Sequence, residues 1–188
     1  MNGKYLIVVP SAVGRLNRFD ENDFERSAET LSKINDYFTE KGVKAAIEPI
    51  RSAEVYLVNK IDQVLDYLKI INKKGIDSIN GDIYHMINGE KHIGEAILKC
   101  GSKLVNLHLA DSNRDGLGRG VIDIDTVIKA SYLVSMNEEG RFLTFEPLGP
   151  FPDPYVLSNS IPDEVLMDDL VKESVNYFRE REEIVREL

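Results

Sequence analysis

Short apolar runs alternate along this chain with longer segments in which apolar residues recur every three or four positions. The runs are Tyr5–Pro10, Lys44–Pro49, Ser78–Asp82, Leu104–Ala110 and Phe142–Pro147, and their length and bounding residues predict strands. Between the first two, Phe24, Ala28, Leu31, Ile34, Tyr37 and Phe38 fall at helical spacing, with Asn22 as a cap and Gly42 after Lys41 as a stop. Val58–Ile71 repeats the pattern through Ile61, Val64, Leu65, Leu68 and Ile71, ending at Lys73-Lys74-Gly75. Ile93–Lys99 and Ile124–Val134 predict two shorter helices, and Pro162-Asp163 opens a long one through about Leu188. The charge run Arg179–Glu187 is expected to be the solvated face of that last helix.

Strands separated by helices imply a parallel sheet joined by right-handed crossovers. Two architectures satisfy that: an open doubly wound sheet and a (β/α) barrel. The Gly-rich turn of a dinucleotide fold is missing after the first run, which reads Pro10-Ser11-Ala12-Val13-Gly14. Strand parity favours the barrel. Val105, Leu107 and Leu109 alternate with Leu104, Asn106, His108 and Ala110; Leu143 and Phe145 alternate with Phe142, Thr144 and Glu146; Ala45 and Ile47 alternate with Lys44, Ala46 and Glu48. Successive side chains point to opposite faces, so each strand has an apolar face for helices and a more polar face ending in an ionisable residue. A barrel directs that second face inward, toward a site at its C-terminal rim.

Composition narrows the function classes. With 32 acidic and 23 basic residues in 188, the net charge is −9, which argues against a nucleic-acid surface. No apolar run approaches the roughly 20 residues of a membrane span, and the first ten residues lack a signal peptide's apolar stretch. The single Cys100 fits a reducing cytoplasm, and its place near a helix end suits a small buried hydrophobe rather than a nucleophile.

Four strand ends each carry one potential metal ligand on the polar face: Glu48, Asp82, His108 and Glu146. Three carboxylates and an imidazole form a hard, oxygen-rich donor set suited to Mn²⁺, with Mg²⁺ or Co²⁺ as alternatives. A carboxylate at one strand end is ordinarily a solvated or helix-capping group. Four ionisable residues at four consecutive strand ends are not so easily dismissed.

The quoted segments resemble the xylose-isomerase-like TIM barrels, in particular sugar epimerases of the ketose 3-epimerase type. The likeness is carried by Ile47-Glu48-Pro49 with Glu54, by Gly81-Asp82-Ile83-Tyr84-His85-Met86, by His108-Leu109-Ala110-Asp111-Ser112-Asn113-Arg114, and by Phe145-Glu146-Pro147. It implies one divalent metal held by Glu48, Asp82, His108 and Glu146. It implies also that Glu48 and Glu146 move a proton on and off the carbon beside a sugar carbonyl, through an enediolate. His85 and Arg114 would stabilise the enediolate oxygen, and Glu54 would bind substrate near the same end. The partner implied is a small sugar, with no nucleic acid or membrane.

Plainer readings stand beside these roles. His85 could be a loop histidine, and Arg114 could pair with Asp111 or Asp115 on a surface loop; His92 reads as exposed. Gly116, Gly118 and Gly120 form a weak phosphate-loop signal, better explained as flexibility over the site mouth, where the family commonly has Pro-Gly-x-Gly. Other functions on the same scaffold are an inosose-dehydratase-like lyase and a nuclease, the latter disfavoured by only three histidines. A non-catalytic metal- or sugar-binding relative is the remaining alternative. A complete (β/α)₈ barrel takes about 250 residues. The chain is therefore expected to be one domain, 1–188, matching strands 4–8 of a partial TIM barrel without the first three βα units. Its open edges predict a homo-oligomer.

Overall fold

The computed structural model describes residues 3–149 and 163–188. Five parallel strands lie in sequence order: β1 (Tyr5–Val8), β2 (Lys44–Ile47), β3 (Ser78–Asp82), β4 (Leu104–Leu109) and β5 (Phe142–Phe145). Helices fill every crossover: α1 (Asp23–Ser32) and α2 (Asn35–Lys41), α3 (Ile61–Ile71), α4 (Ile83–Gly89) and α5 (Ile93–Cys100), then α6 (Ile124–Leu133), with α7 (Glu164–Glu187) after β5. The result is a partial (β/α)₈ barrel, with the helices packed on the convex face of a curved parallel sheet.

The main core lies between sheet and helices. Ala45, Ile47, Ile79, Leu107 and Leu109 meet Val64, Tyr67, Ile97, Val127 and Ile128, all buried. One parity expectation fails. The register slips between Ile79 and Asn80, which pair with Leu104 and Asn106, so that Val105 is passed over. Leu104 therefore joins Leu107 against Gly81 on the helix-facing side, and Val105 turns to the inner face. From Asn106 onward the alternation is as expected, so His108 still faces inward.

The first helical segment is broken in two at Lys33-Ile34. Ala28, Leu31 and Phe38 are buried, but Ile34 and Tyr37, expected on the same face, are 46% and 64% exposed. Asn22 sits at the cap position without making a side-chain cap bond; the Asp23 carboxylate accepts from the Phe19 N–H instead. Gly42 ends α2 in the left-handed conformation (φ 65°). Helix α4 has no counterpart among the expected elements. Pro162 lies outside the described residues, while Asp163 caps α7 through the Leu166 N–H. The charged end of α7 is only partly solvated: Arg181 forks onto Asp125 of α6, and Tyr132 donates to Glu182. Cys100 is buried, donates to the Ala96 carbonyl, and has its thiol pushed up to about 12 by burial. His92 is exposed and caps α5.

No described helix is long and apolar enough to cross a membrane.

Candidate metal and proton-transfer site

The sheet ladder runs past the strand ends and fixes the residues that carry the site. Glu48 N donates to Val8 O at 3.0 Å, and Glu146 N donates to Leu109 O at 2.9 Å. Asp82 ends β3 and begins α4 at once, its Oδ1 accepting from Tyr84 N at 2.8 Å. That leaves Oδ2 turned toward the centre.

The four expected ligands come together there. His108 Nδ1 lies 3.1 Å from Glu48 Oε1, 3.2 Å from Glu146 Oε2 and 3.9 Å from Asp82 Oδ2. Asp82, His108 and Glu146 each offer a ligand atom within 4.8 Å of the others, and so do Glu48, Asp82 and His85. Asp82 belongs to both groups. Glu48, Asp82 and His108 are buried, while the Glu146 side chain is 38% exposed. Converging carboxylates in a partly desolvated pocket repel unless a cation neutralises them, and the oxygen-rich donor set fits a hard divalent ion.

His108 shows the electrostatic demand. Burial alone would lower its pKa, but hydrogen bonds to Glu146 and Glu48 outweigh burial and raise it to about 10. Burial works against Glu146 in the opposite sense, and His108, Arg114 and His85 overcome it, holding the carboxyl below its ordinary range. His85 behaves differently. Burial dominates and lowers its pKa despite Asp82, so near neutrality it is an uncharged donor rather than a cation.

Arg114 does not pair with Asp111 or Asp115. Its Nη1 donates to Asp82 Oδ2 at 2.7 Å and its Nη2 donates to Glu146. The residue is in the left-handed region (φ 62°), held by Arg114 N to Asp111 O and by Leu148 N to Arg114 O, both 2.8 Å.

Glu48, Glu54, Tyr84, His85, Arg114 and Glu146 line a cavity of about 250 Å³, and Asp82 and His108 touch its lining through Arg114, Glu48 and Glu146. A larger hollow of about 510 Å³ between β1 and α1 lacks these ligands. Volume does not locate this site; the converging carboxylates do. The structure thus brings Glu48, Glu54, Asp82, His85, His108, Arg114 and Glu146 together at one end of the sheet.

Three features escape the sequence. Arg51 pairs with Glu54 and lies 4.8 Å from the Tyr84 ring centroid, with Arg114 4.6 Å from the same ring. The only signal for it is a basic residue three before Glu54. Asp111 anchors the glycine loop: its carboxylate accepts from Ser112 N, Gly118 N and Ile122 N. These inward-turned amides leave no phosphate cradle there, and a Cβ on Gly120 would stand 2.1 Å from Asp111 Oδ1. The third feature is a layer of amides below the ligands.

A family model, the xylose isomerase-like TIM barrel, matches residues 1–146. The chain belongs to that family. It is 32% identical over 102 residues to a D-psicose 3-epimerase of Ruminiclostridium cellulolyticum, covering 54% of this chain and 34% of that one. With the ketose 3-epimerase of Arthrobacter globiformis the identity is 30% over 127 residues, covering 68% and 44%. A solved L-ribulose 3-epimerase superposes with a TM-score of 0.83 at 21% identity, covering 98% of this chain and 63% of that chain. The chain thus spans between a third and a half of the length of these two curated relatives.

Proposed function

We propose that this chain carries the metal and proton-transfer face of a sugar epimerase or isomerase acting beside a carbonyl, in the manner of a ketose 3-epimerase. The observation that carries this reading is the convergence of Glu48 and Glu146 on one atom of His108, with Asp82 behind them and Arg114 spanning Asp82 and Glu146. The similarity to enzymes named as ketose 3-epimerases supports it.

Glu48, Asp82, His108 and Glu146 would hold a divalent ion, Mn²⁺ in the first instance. Such an ion supplies Lewis acidity toward a sugar carbonyl and its neighbouring hydroxyl. The chain's own residues do the rest. One of Glu48 and Glu146 takes the proton from the carbon beside the carbonyl, and the other returns one, so that configuration inverts. Which acts as base depends on the starting epimer. His85, as a neutral donor, and Arg114, as a cation, hydrogen-bond the oxygen that gains charge. Glu54, tied to Arg51, binds a substrate hydroxyl at the cavity wall.

The unit is read as one domain corresponding to the last five βα units of the barrel. Among the described residues β1 pairs only with β2 and β5 only with β4, leaving Leu6, Ile7 and Phe142 from 41% to 53% exposed at the two edges. These edges support self-association, which light scattering reads directly: a homo-oligomer is expected, and a monomer with full activity contradicts it. The buried free thiol of Cys100 supports a reducing, cytoplasmic setting.

The test of the function is a screen of ketoses with Mn²⁺ and, in parallel, with EDTA. Epimer formation that requires the metal is expected. Mn²⁺ binding without any turnover favours the non-catalytic metal- or sugar-binding alternative.

A further inference from the structure

Two residues before each ligand, the inward position of the strand holds an uncharged side chain: Ala46 below Glu48, Asn80 below Asp82, Asn106 below His108 and Thr144 below Glu146. Three of the four are polar, and Asn80 and Asn106 are buried. They are joined in one directed chain. Thr144 Oγ1 donates to Asn106 Oδ1 at 2.8 Å, Asn106 Nδ2 donates to Asn80 Oδ1 at 2.6 Å, and Asn80 Nδ2 donates to Glu48 Oε1 at 2.8 Å. Asn80 Nδ2 also lies 3.4 Å from His108 Nδ1.

The direction follows from chemistry. An ionised Glu48 only accepts, so Asn80 must present its NH₂ upward and its carbonyl sideways. Asn106 must then give its NH₂ to that carbonyl and turn its own carbonyl to β5, where Thr144 has a hydroxyl to donate. Each bond fixes the orientation of the next group, and hydrogen bonds aligned head to tail strengthen one another. A Leu at position 80 would fill similar space but leave Glu48 without this donor. A barrel interior has no other need for amides here, since apolar side chains are its ordinary filling.

We infer that Asn80 is a positioning residue, which sets Glu48 for metal binding and is itself held in one orientation by Asn106 and Thr144. The inference rests on the reading of Glu48 as a metal ligand. Groups that orient first ligands typically change metal affinity 10–100-fold when removed.

The experiment compares the wild type with N80L, N106L, T144V and N80L/N106L by calorimetric titration with Mn²⁺, and by NMR of the side-chain NH₂ groups in the metal-free chain. N80L is expected to weaken Mn²⁺ binding roughly 10–100-fold. N106L should weaken it less but in the same direction, T144V least, and the double variant should match N80L because both act through one chain. In the wild type the Asn80 NH₂ should exchange slowly with solvent, and N106L should abolish that protection. Multiplying effects in the double variant, or an N106L protein with wild-type affinity and wild-type Asn80 signals, would overturn the inference. If N80L fails to fold, N106L and T144V carry the same comparison. If the wild type binds no Mn²⁺, the metal reading fails, and the Asn80 signals in N106L alone decide whether the amide is held as stated.

Discussion

Arg114 Nη1 donates to Asp82 Oδ2 at 2.7 Å while its Nη2 donates to Glu146, so one guanidinium bridges carboxylates from β3 and the end of β5. The strand-end acids therefore have a resident counter-charge, positioned by a loop residue in left-handed backbone. A divalent cation would relieve the same repulsion.

Replacing Arg114 by Met leaves the buried Asp82 and the partly exposed Glu146 facing each other without it. Breaking a fully buried pair costs roughly 3–5 kcal/mol; with Glu146 38% exposed, a loss of about 2–3 kcal/mol is expected. Mn²⁺ should restore more of the melting temperature in R114M than it adds to the wild type. Thermal melts with and without Mn²⁺ check this, and equal metal-induced shifts contradict it.

The raised His108 pKa links stability and metal binding to pH. Its folded value of about 10 lies above the ordinary 6.5, so its contribution to metal-free stability is fully present below about pH 6.5. It is lost as pH rises toward 10. Melting temperature should accordingly fall over that window more in the wild type than in H108Q. Because a ligand nitrogen must be unprotonated, Mn²⁺ binding near pH 7.5 should release a proton. Calorimetry in buffers of different ionisation enthalpy measures the release.

Gly120 faces the Asp111 carboxylate, which three backbone N–H groups hold in place. G120A is expected to destabilise by roughly 1–3 kcal/mol, and D111A similarly, with the double variant little worse than either alone. Denaturant unfolding of the three variants decides it. Additive losses would show that the loop is not organised around Asp111.

Cys100 should resist Ellman's reagent in the folded chain and react on unfolding, since burial keeps the thiol protonated. Prompt reaction under native conditions contradicts its burial.

The strands and the candidate ligands near their ends are legible in sequence for one reason. Inward and outward positions alternate, so Glu48, Asp82, His108 and Glu146 stand out as ionisable residues on the inward face near the ends of the predicted strands. What stays hidden depends on neighbours distant in sequence. The register slip that exchanges Leu104 and Val105 arises from pairing with β3. Helix α4 is seven residues long and begins directly at Asp82, leaving no separate start signal. Asn80, Asn106 and Thr144 are unremarkable polar residues until three strands set them side by side. The Gly-x-Gly-x-Gly loop suggested flexibility, whereas Asp111 pins it and Arg114 reaches away from it.

Proton transfer between Glu48 and Glu146 across a substrate carbon is tested most directly by solvent exchange. A ketose that the chain epimerises is incubated in D₂O with Mn²⁺, and deuterium at the carbon beside the carbonyl is followed by mass spectrometry. The wild type should incorporate deuterium, and both E146Q and the EDTA-treated chain should not. Undiminished incorporation by E146Q, or none by a wild type with Mn²⁺ bound at the four ligands, would contradict the account.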